Sequence, residues 1–145
     1  MTARPARTIL FVYGTLKRGL RNHRLIADQE FLGEVVTEPR YRVIDLGPYP
    51  GLVADTENGV AVTGELWAVS DCCLAELDDF EEESHTFRRA SVALAGRAGE
   101  AFAYFWNRVV PDGAPSGGEW PLGGEGATPQ VAIAGGAFAP VRFVT

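Results

Sequence analysis

Two short stretches of the chain carry residue types able to do chemistry, and both take their meaning from spacing. The first is Glu81. If residues 71–82 form a helix, a rotation of about 100° per residue puts Cys73, Leu74, Leu77 and Phe80 on one stripe, the side that faces a core. Glu76, Asp78, Asp79, Glu82 and Glu83 fall on the margins or the far side, but Glu81 follows Leu77 by four residues and Leu74 by seven and joins the stripe. An ionised carboxylate there is costly unless it is paired or proton-linked. The negative end of the helix dipole and the surrounding carboxylates both disfavour the charged form, which moves Glu81 toward the range of a general acid/base. Two readings stand at this level: an acid/base in a site, or a residue paired with an N-terminal arginine or sitting on a frayed last turn.

The second stretch is Tyr13-Gly14-Thr15-Leu16, which ends the apolar run Ile9-Leu10-Phe11-Val12. β-Branched and aromatic residues bounded by glycine fit a strand covered on both faces, and so a central one. Gly14, Thr15 and Leu16 could present several amide N–H groups toward an anion, or could be a plain turn between elements. A nucleotide phosphate loop does not fit, because the second glycine and the Lys-Ser or Lys-Thr pair of that motif are missing.

These residues need a scaffold, and composition bounds it. A chain of 145 residues with 46% hydrophobic content can bury a core as one domain without disulfide or metal. The formal net charge of −6 disfavours general nucleic-acid binding. Arg4, Arg7, Lys17, Arg18, Arg21 and Arg24 all precede the first acidic residue, Asp28, and read as a solvated cationic surface, since no aromatic groove motif is interleaved with them. Cys72 and Cys73 are adjacent and suit neither a stabilising cross-link nor a zinc site. The first apolar run is too short for a secretory signal, and no stretch approaches the roughly 20 apolar residues of a membrane span. A cytoplasmic protein without membrane or nucleic-acid partners is expected.

In chain order, Asn22 suits the N-cap of a helix from His23 to about Glu30, ended by Gly33. His23 could be an acid/base or a first-turn surface residue. Strands are expected over 34–37, 41–46 and 51–55. Asn58-Gly59 predicts a hairpin leading into a long strand, with Val62, Gly64 and Leu66 on one side and Glu65, Trp67 and Val69 on the other. After the helix capped by Ser70 or Asp71, residues 86–94 and 100–110 read as antiparallel strands, the second holding Phe102, Tyr104, Phe105 and Trp106 as barrel wall. The glycine- and proline-containing tail beyond Trp120 is expected to be irregular, with short strands at 131–134 and 141–144 or a docked arm.

Phe11-Val12-Tyr13-Gly14-Thr15-Leu16-Lys17-Arg18-Gly19, followed by Asn22-His23-Arg24, resembles the opening signature of the γ-glutamylcyclotransferase-like family, most closely its γ-glutamylamine branch. Val62-Thr63-Gly64-Glu65-Leu66-Trp67-Ala68-Val69 with Leu77-Asp78-Asp79-Phe80-Glu81 is similar to the strand and helix that carry the family's acidic catalyst, and Gly118-Glu119-Trp120 resembles its closing segment. The resemblance implies an α+β fold, a small mixed β-barrel with flanking helices, over residues 1–120, with 121–145 as tail. It implies that Tyr13, Gly14, Thr15 and Leu16 bind the γ-glutamyl group of a small-molecule substrate and that Glu81 transfers protons without metal or cofactor. Phe87 is also expected at the substrate site, where it stands in the place relatives usually give to tyrosine, so any hydroxyl contributed there is absent. The implied reaction releases 5-oxoproline and a free amine from a γ-glutamyl amide. A binding module of the same fold, holding a small anion without turnover, is the alternative. The leaving amine and the oligomeric state are not set by the sequence.

Overall fold

The structure is a computed structural model that describes residues 7–83, 85–97 and 99–122; the expected strands at 131–134 and 141–144 lie outside them. Eight strands and one α-helix follow in order: β1 (Arg7–Val12), β2 (Glu30–Val36), β3 (Tyr41–Asp45), β4 (Pro50–Ala54), β5 (Thr63–Ser70), α1 (Asp71–Glu81), β6 (Phe87–Val92), β7 (Ala101–Trp106) and β8 (Ser116–Gly117). They form one curled sheet in the order β2-β5-β1-β7-β4-β3-β8, with β6 antiparallel to β7. β1 is central, as its unbroken apolar run predicts: it pairs antiparallel with β5 and parallel with β7.

The alternation of β1 divides the core. Phe11 and Tyr13 enter an inner cluster with Tyr41, Val43, Leu52, Val62, Leu66 and Phe105. Leu10 and Val12 point the other way, to Trp67, Val69, Cys73, Leu77 and Tyr104 beneath α1. The two faces expected of β5 sort the same way, Val62 and Leu66 inward and Trp67 and Val69 under the helix. Gly64 sits where the sheet is tightest: a Cβ there would lie 2.5 Å from the Val12 carbonyl oxygen and 2.7 Å from the Phe11 ring.

Helix α1 starts where expected, with the Ser70 hydroxyl accepting from the Cys73 N–H at 3.1 Å. It ends at Glu81, and Glu82 turns left-handed at φ 55°. Its buried residues are Cys73, Leu77 and Glu81, spaced four apart; Leu74 and Phe80 are only partly covered. Among the described residues no helix is long and apolar enough to cross a membrane.

Three expectations are corrected. The helix from His23 to Glu30 is only a 3₁₀ turn, His23–Leu25, and Asn22 makes no side-chain cap there. Leu25 and Ile26 still pack into the cluster under α1, but Glu30 and Phe31 are already in β2, opposite Ala68 and Trp67 of β5. Gly33 does not end a helix; at φ 128° it sits at a β-bulge in that pairing. Nor does Asn58-Gly59 turn β4 back onto β5. β4 pairs with β3 and β7 while β5 pairs with β1 and β2. The 55–60 turn is organised by Asp55, whose Oδ1 accepts from the N–H groups of Glu57 and Asn58 at 3.1 and 2.8 Å. Finally, the long strands expected from Val60 and from Glu100 are shorter, Thr63–Ser70 and Ala101–Trp106.

Candidate active site

At the end of β1 the sheet forks. One edge of β7 pairs with β1 at Phe102 and with β4 at Phe105. Between these points, the Tyr13 hydroxyl donates to the carbonyl of Tyr104 at 2.6 Å and accepts from the N–H of Leu52 at 3.1 Å. A side chain thus takes the place of a ladder rung, and the main chain leaves the sheet beside it as the loop 14–19.

The loop is fastened largely through its carbonyls. Gly14 O accepts from Lys17 N, and Thr15 O from Asn22 N, both at 3.0 Å. The Asn22 side-chain amide donates to Thr15 Oγ1 at 2.8 Å, in a buried contact. His23 Nδ1 lies 2.9 Å from the carbonyl of Leu16; a carbonyl only accepts, so Nδ1 carries the proton. The His23 ring rests 5.2 Å from that of Trp67. Asn22 and His23 therefore hold the loop from behind. The far end is held by buried Glu65, which accepts from Arg18 N and Trp67 Nε1 at Oε1 and from Arg18 Nε at Oε2, all at 3.1 Å. Burial opposes the charge of Glu65, but these hydrogen bonds outweigh it and hold its carboxyl below the ordinary value.

Glu81 is 2% exposed. Together with Phe11, Val12, Tyr13, Gly14, Leu16 and Tyr104 it lines a tight cleft with a cavity volume of about 10 Å³. Its Oε2 atom is fully buried. Of the residues expected at a site, the fold thus brings Tyr13, Gly14, Leu16 and Glu81 to one cavity. Thr15 is buried in the loop against Asn22 and is not among the lining residues. Phe87 is also absent from the lining; it is 2% exposed and packs against Trp106 and Tyr49, with ring centroids 5.5 and 6.0 Å away.

The two phenols of the cleft are held neutral. Burial, reinforced by the charge of Glu81, pushes Tyr13 well above its ordinary value. Burial and the hydrogen bond to Asp78 do the same for Tyr104. Glu81 is the one carboxylic acid in the lining.

Sequence reading missed the network beside it. Tyr104 Oη donates to Asp78 Oδ1 at 2.6 Å, and Arg89 grips Asp78 with two hydrogen bonds, Nε to Oδ1 at 3.0 Å and Nη2 to Oδ2 at 2.9 Å. Burial opposes ionisation of Asp78, but the Arg89 and Tyr104 hydrogen bonds outweigh it and hold its carboxyl below the usual range. No local signal joins a margin residue of α1, a strand arginine and a barrel-wall tyrosine; only their placement on three elements that meet does so.

The cationic N-terminal residues have other partners. Arg7 pairs with Glu30, Arg18 with Glu65 and Glu34, and Lys17 Nζ donates to the carbonyl of Trp120 at 2.6 Å. Arg21 donates to the carbonyl of Pro48, and Arg4 lies outside the described residues. The acidic end of α1 receives its cation from Arg89 of β6. Among the described residues, no group of three or more His, Cys, Asp and Glu side chains is arranged to hold a metal ion.

Residues 10–122 match the model of a family described as gamma-glutamyl cyclotransferase, AIG2-like. A putative gamma-glutamylcyclotransferase of Vibrio cholerae is 40% identical over 101 residues, covering 70% of this chain and 84% of that protein. The human gamma-glutamylaminecyclotransferase is 37% identical over 91 residues, covering 56% of this chain and 58% of that protein, less than two thirds of its length. In three dimensions the chain is similar to the crystal structure of an AIG2-like protein from Mus musculus, with a TM-score of 0.71 and 28% identity over 79% of this chain and 88% of that one.

Proposed function

The chain belongs to the gamma-glutamyl cyclotransferase, AIG2-like family, and from that premise we propose that it converts a γ-glutamyl amide into 5-oxoproline and a free amine, with Glu81 as the general acid/base. One observation carries the reading: a buried carboxyl and the loop that begins at Tyr13-Gly14 line the same small cleft.

The chemistry needs little more. The substrate's α-amine attacks its own γ-carbonyl carbon, so a C–N bond forms and the ring closes. Glu81, as carboxylate, takes a proton from the attacking nitrogen; as carboxylic acid, it returns one to the nitrogen of the leaving amine while the original amide C–N bond breaks. One group cycling between two forms balances both transfers, and such catalysis is worth about 10²–10⁴-fold. Because the attack is intramolecular, folding the glutamyl chain into reactive geometry can remove up to ~7–11 kcal/mol of the barrier.

The carbonyls of Gly14 and Thr15 are turned into the loop's own hydrogen bonds. We assign to the amides of Gly14, Thr15 and Leu16 the α-carboxylate or the oxyanion that develops on the γ-carbonyl. Thr15 and Phe87 then act indirectly, Thr15 through its backbone and Phe87 by packing behind the cleft. The neutrality of Tyr13 and Tyr104 leaves proton transfer to Glu81.

Chromatography of products from a panel of γ-glutamyl amides, with amino-acid and alkylamine leaving groups, tests this function. Release of 5-oxoproline is expected. Release of glutamate instead would make the protein a hydrolase, and binding without product would make it a binding module.

A further inference from the structure

Tyr104 reaches the cleft already committed as a donor. Asp78 is held ionised by Arg89, and an ionised carboxylate can only accept. The hydrogen of the 2.6 Å contact therefore belongs to Tyr104. A phenol has one hydrogen and two acceptor lone pairs, so what Tyr104 keeps for any ligand is acceptor capacity alone. The clamp is geometrically firm as well. Arg89 contributes two side-chain hydrogen bonds to Asp78, and its own N–H donates to Glu83 Oε2 at 3.1 Å, tying β6 to the end of α1. Asp78 and Glu81 are three residues apart on α1, nearly one turn, so the clamp and the cleft carboxyl share a stretch of rigid helix.

From this geometry we propose that Tyr104 accepts a hydrogen bond from the α-amine of the substrate, and that Asp78 and Arg89 are positioning residues that hold Tyr104 in its acceptor-only state. The inference rests on the cyclotransferase reading for the identity of the amine. It adds a division of labour within the cleft. An amine about to attack carries hydrogens to be oriented and one proton to be lost. Tyr104 takes a hydrogen bond without taking the proton, because its own hydrogen is committed to Asp78 and its oxygen is a poor base. Glu81 takes the proton. Two acceptors with different basicities fix the direction of the nitrogen lone pair that must meet the γ-carbonyl.

The test compares a γ-glutamyl amide with its analogue lacking the α-amine, with binding measured by calorimetry alongside 5-oxoproline release. The parent should prefer the amine-bearing compound by about tenfold or more, the worth of one hydrogen bond to a charged group. Tyr104→Phe should cut that preference several-fold, leaving the part that Glu81 supplies, and raise KM more than it lowers kcat. Asp78→Asn should weaken the preference in the parent and change it no further in the Tyr104→Phe background, because the two act as one unit. Additive losses of Tyr104→Phe and Asp78→Asn would overturn the proposal, as would an unchanged preference in Tyr104→Phe or a parent that does not distinguish the compounds. Should Asp78→Asn unfold at the assay temperature, Arg89→Lys, which keeps the charge and loses the two-point grip, takes its place in the cycle. A parent with the amine preference but no 5-oxoproline would refute the cyclotransferase reading and leave the amine site standing. An active parent without the preference would do the reverse.

Discussion

Tyr13 donates its hydroxyl hydrogen to the backbone carbonyl of Tyr104 at 2.6 Å, so the residue that opens the cleft loop is tied to the strand that supplies Tyr104 to the same cleft. The Tyr13 oxygen also accepts from Leu52 N–H, so it bridges β7 and β4 at the fork where β1 gives way to β4. Tyr13→Phe would leave a buried carbonyl and a buried N–H without that partner. A loss of about 1–3 kcal/mol in urea unfolding is expected, with a fall in activity as the loop loosens. Retention of full stability would mean that the sheet closes the fork unaided.

Gly64 is the second place where the cleft depends on close approach. A methyl group there would press on the Val12 carbonyl and the Phe11 ring, and the carbonyl belongs to main chain that cannot swing aside. Gly64→Ala is expected to cost about 1–3 kcal/mol by forcing β1 away from β5. Turnover should fall too, because Val12 leads directly into Tyr13. Thermal denaturation of parent and variant checks the first expectation.

Acid should destabilise the protein through two partly buried pairs. The carboxyls of Asp78 and Glu65 are held below their ordinary values when folded, despite burial, by hydrogen bonds from Arg89 and Tyr104 and from Trp67 and Arg18. A depressed carboxylate contributes its full stabilisation above its unfolded value of roughly 4, and loses it as pH falls through the folded one. The melting temperature should therefore decline steeply below about pH 4, and Asp78→Asn should flatten that decline. An unchanged slope in the variant would remove Asp78 from the acid response.

What could be read from the residues alone follows from how local each signal was. Glu81 was legible because it follows Leu77 by four residues and Leu74 by seven, and the helix buries Glu81 with Leu77 and Cys73 while Leu74 is only partly covered. The central position of β1 was legible from its unbroken apolar run. The stretch 23–33 misled because Leu25 and Ile26 are apolar in a helical pattern, whereas Phe31 is claimed by Trp67 of β5 across the sheet. Asn58-Gly59 misled for the opposite reason: the turn is real, but β4 and β5 go to different neighbours. Tyr104, Asp78 and Arg89 were out of reach, since their relation exists only where α1, β6 and β7 meet. Phe87 drew notice for the hydroxyl it lacks, and the fold places it behind the cleft among Tyr49 and Trp106.

The central claim is that Glu81 moves the protons of a cyclisation. Glu81→Gln keeps the size and burial of the side chain and removes only its ability to cycle between acid and base. Rates of 5-oxoproline release from the best γ-glutamyl amide, measured for parent and variant at matched concentration, test that claim most directly. The account predicts a fall in kcat of about 100-fold or more, with the melting temperature retained or raised. Equal turnover by the two proteins would contradict it.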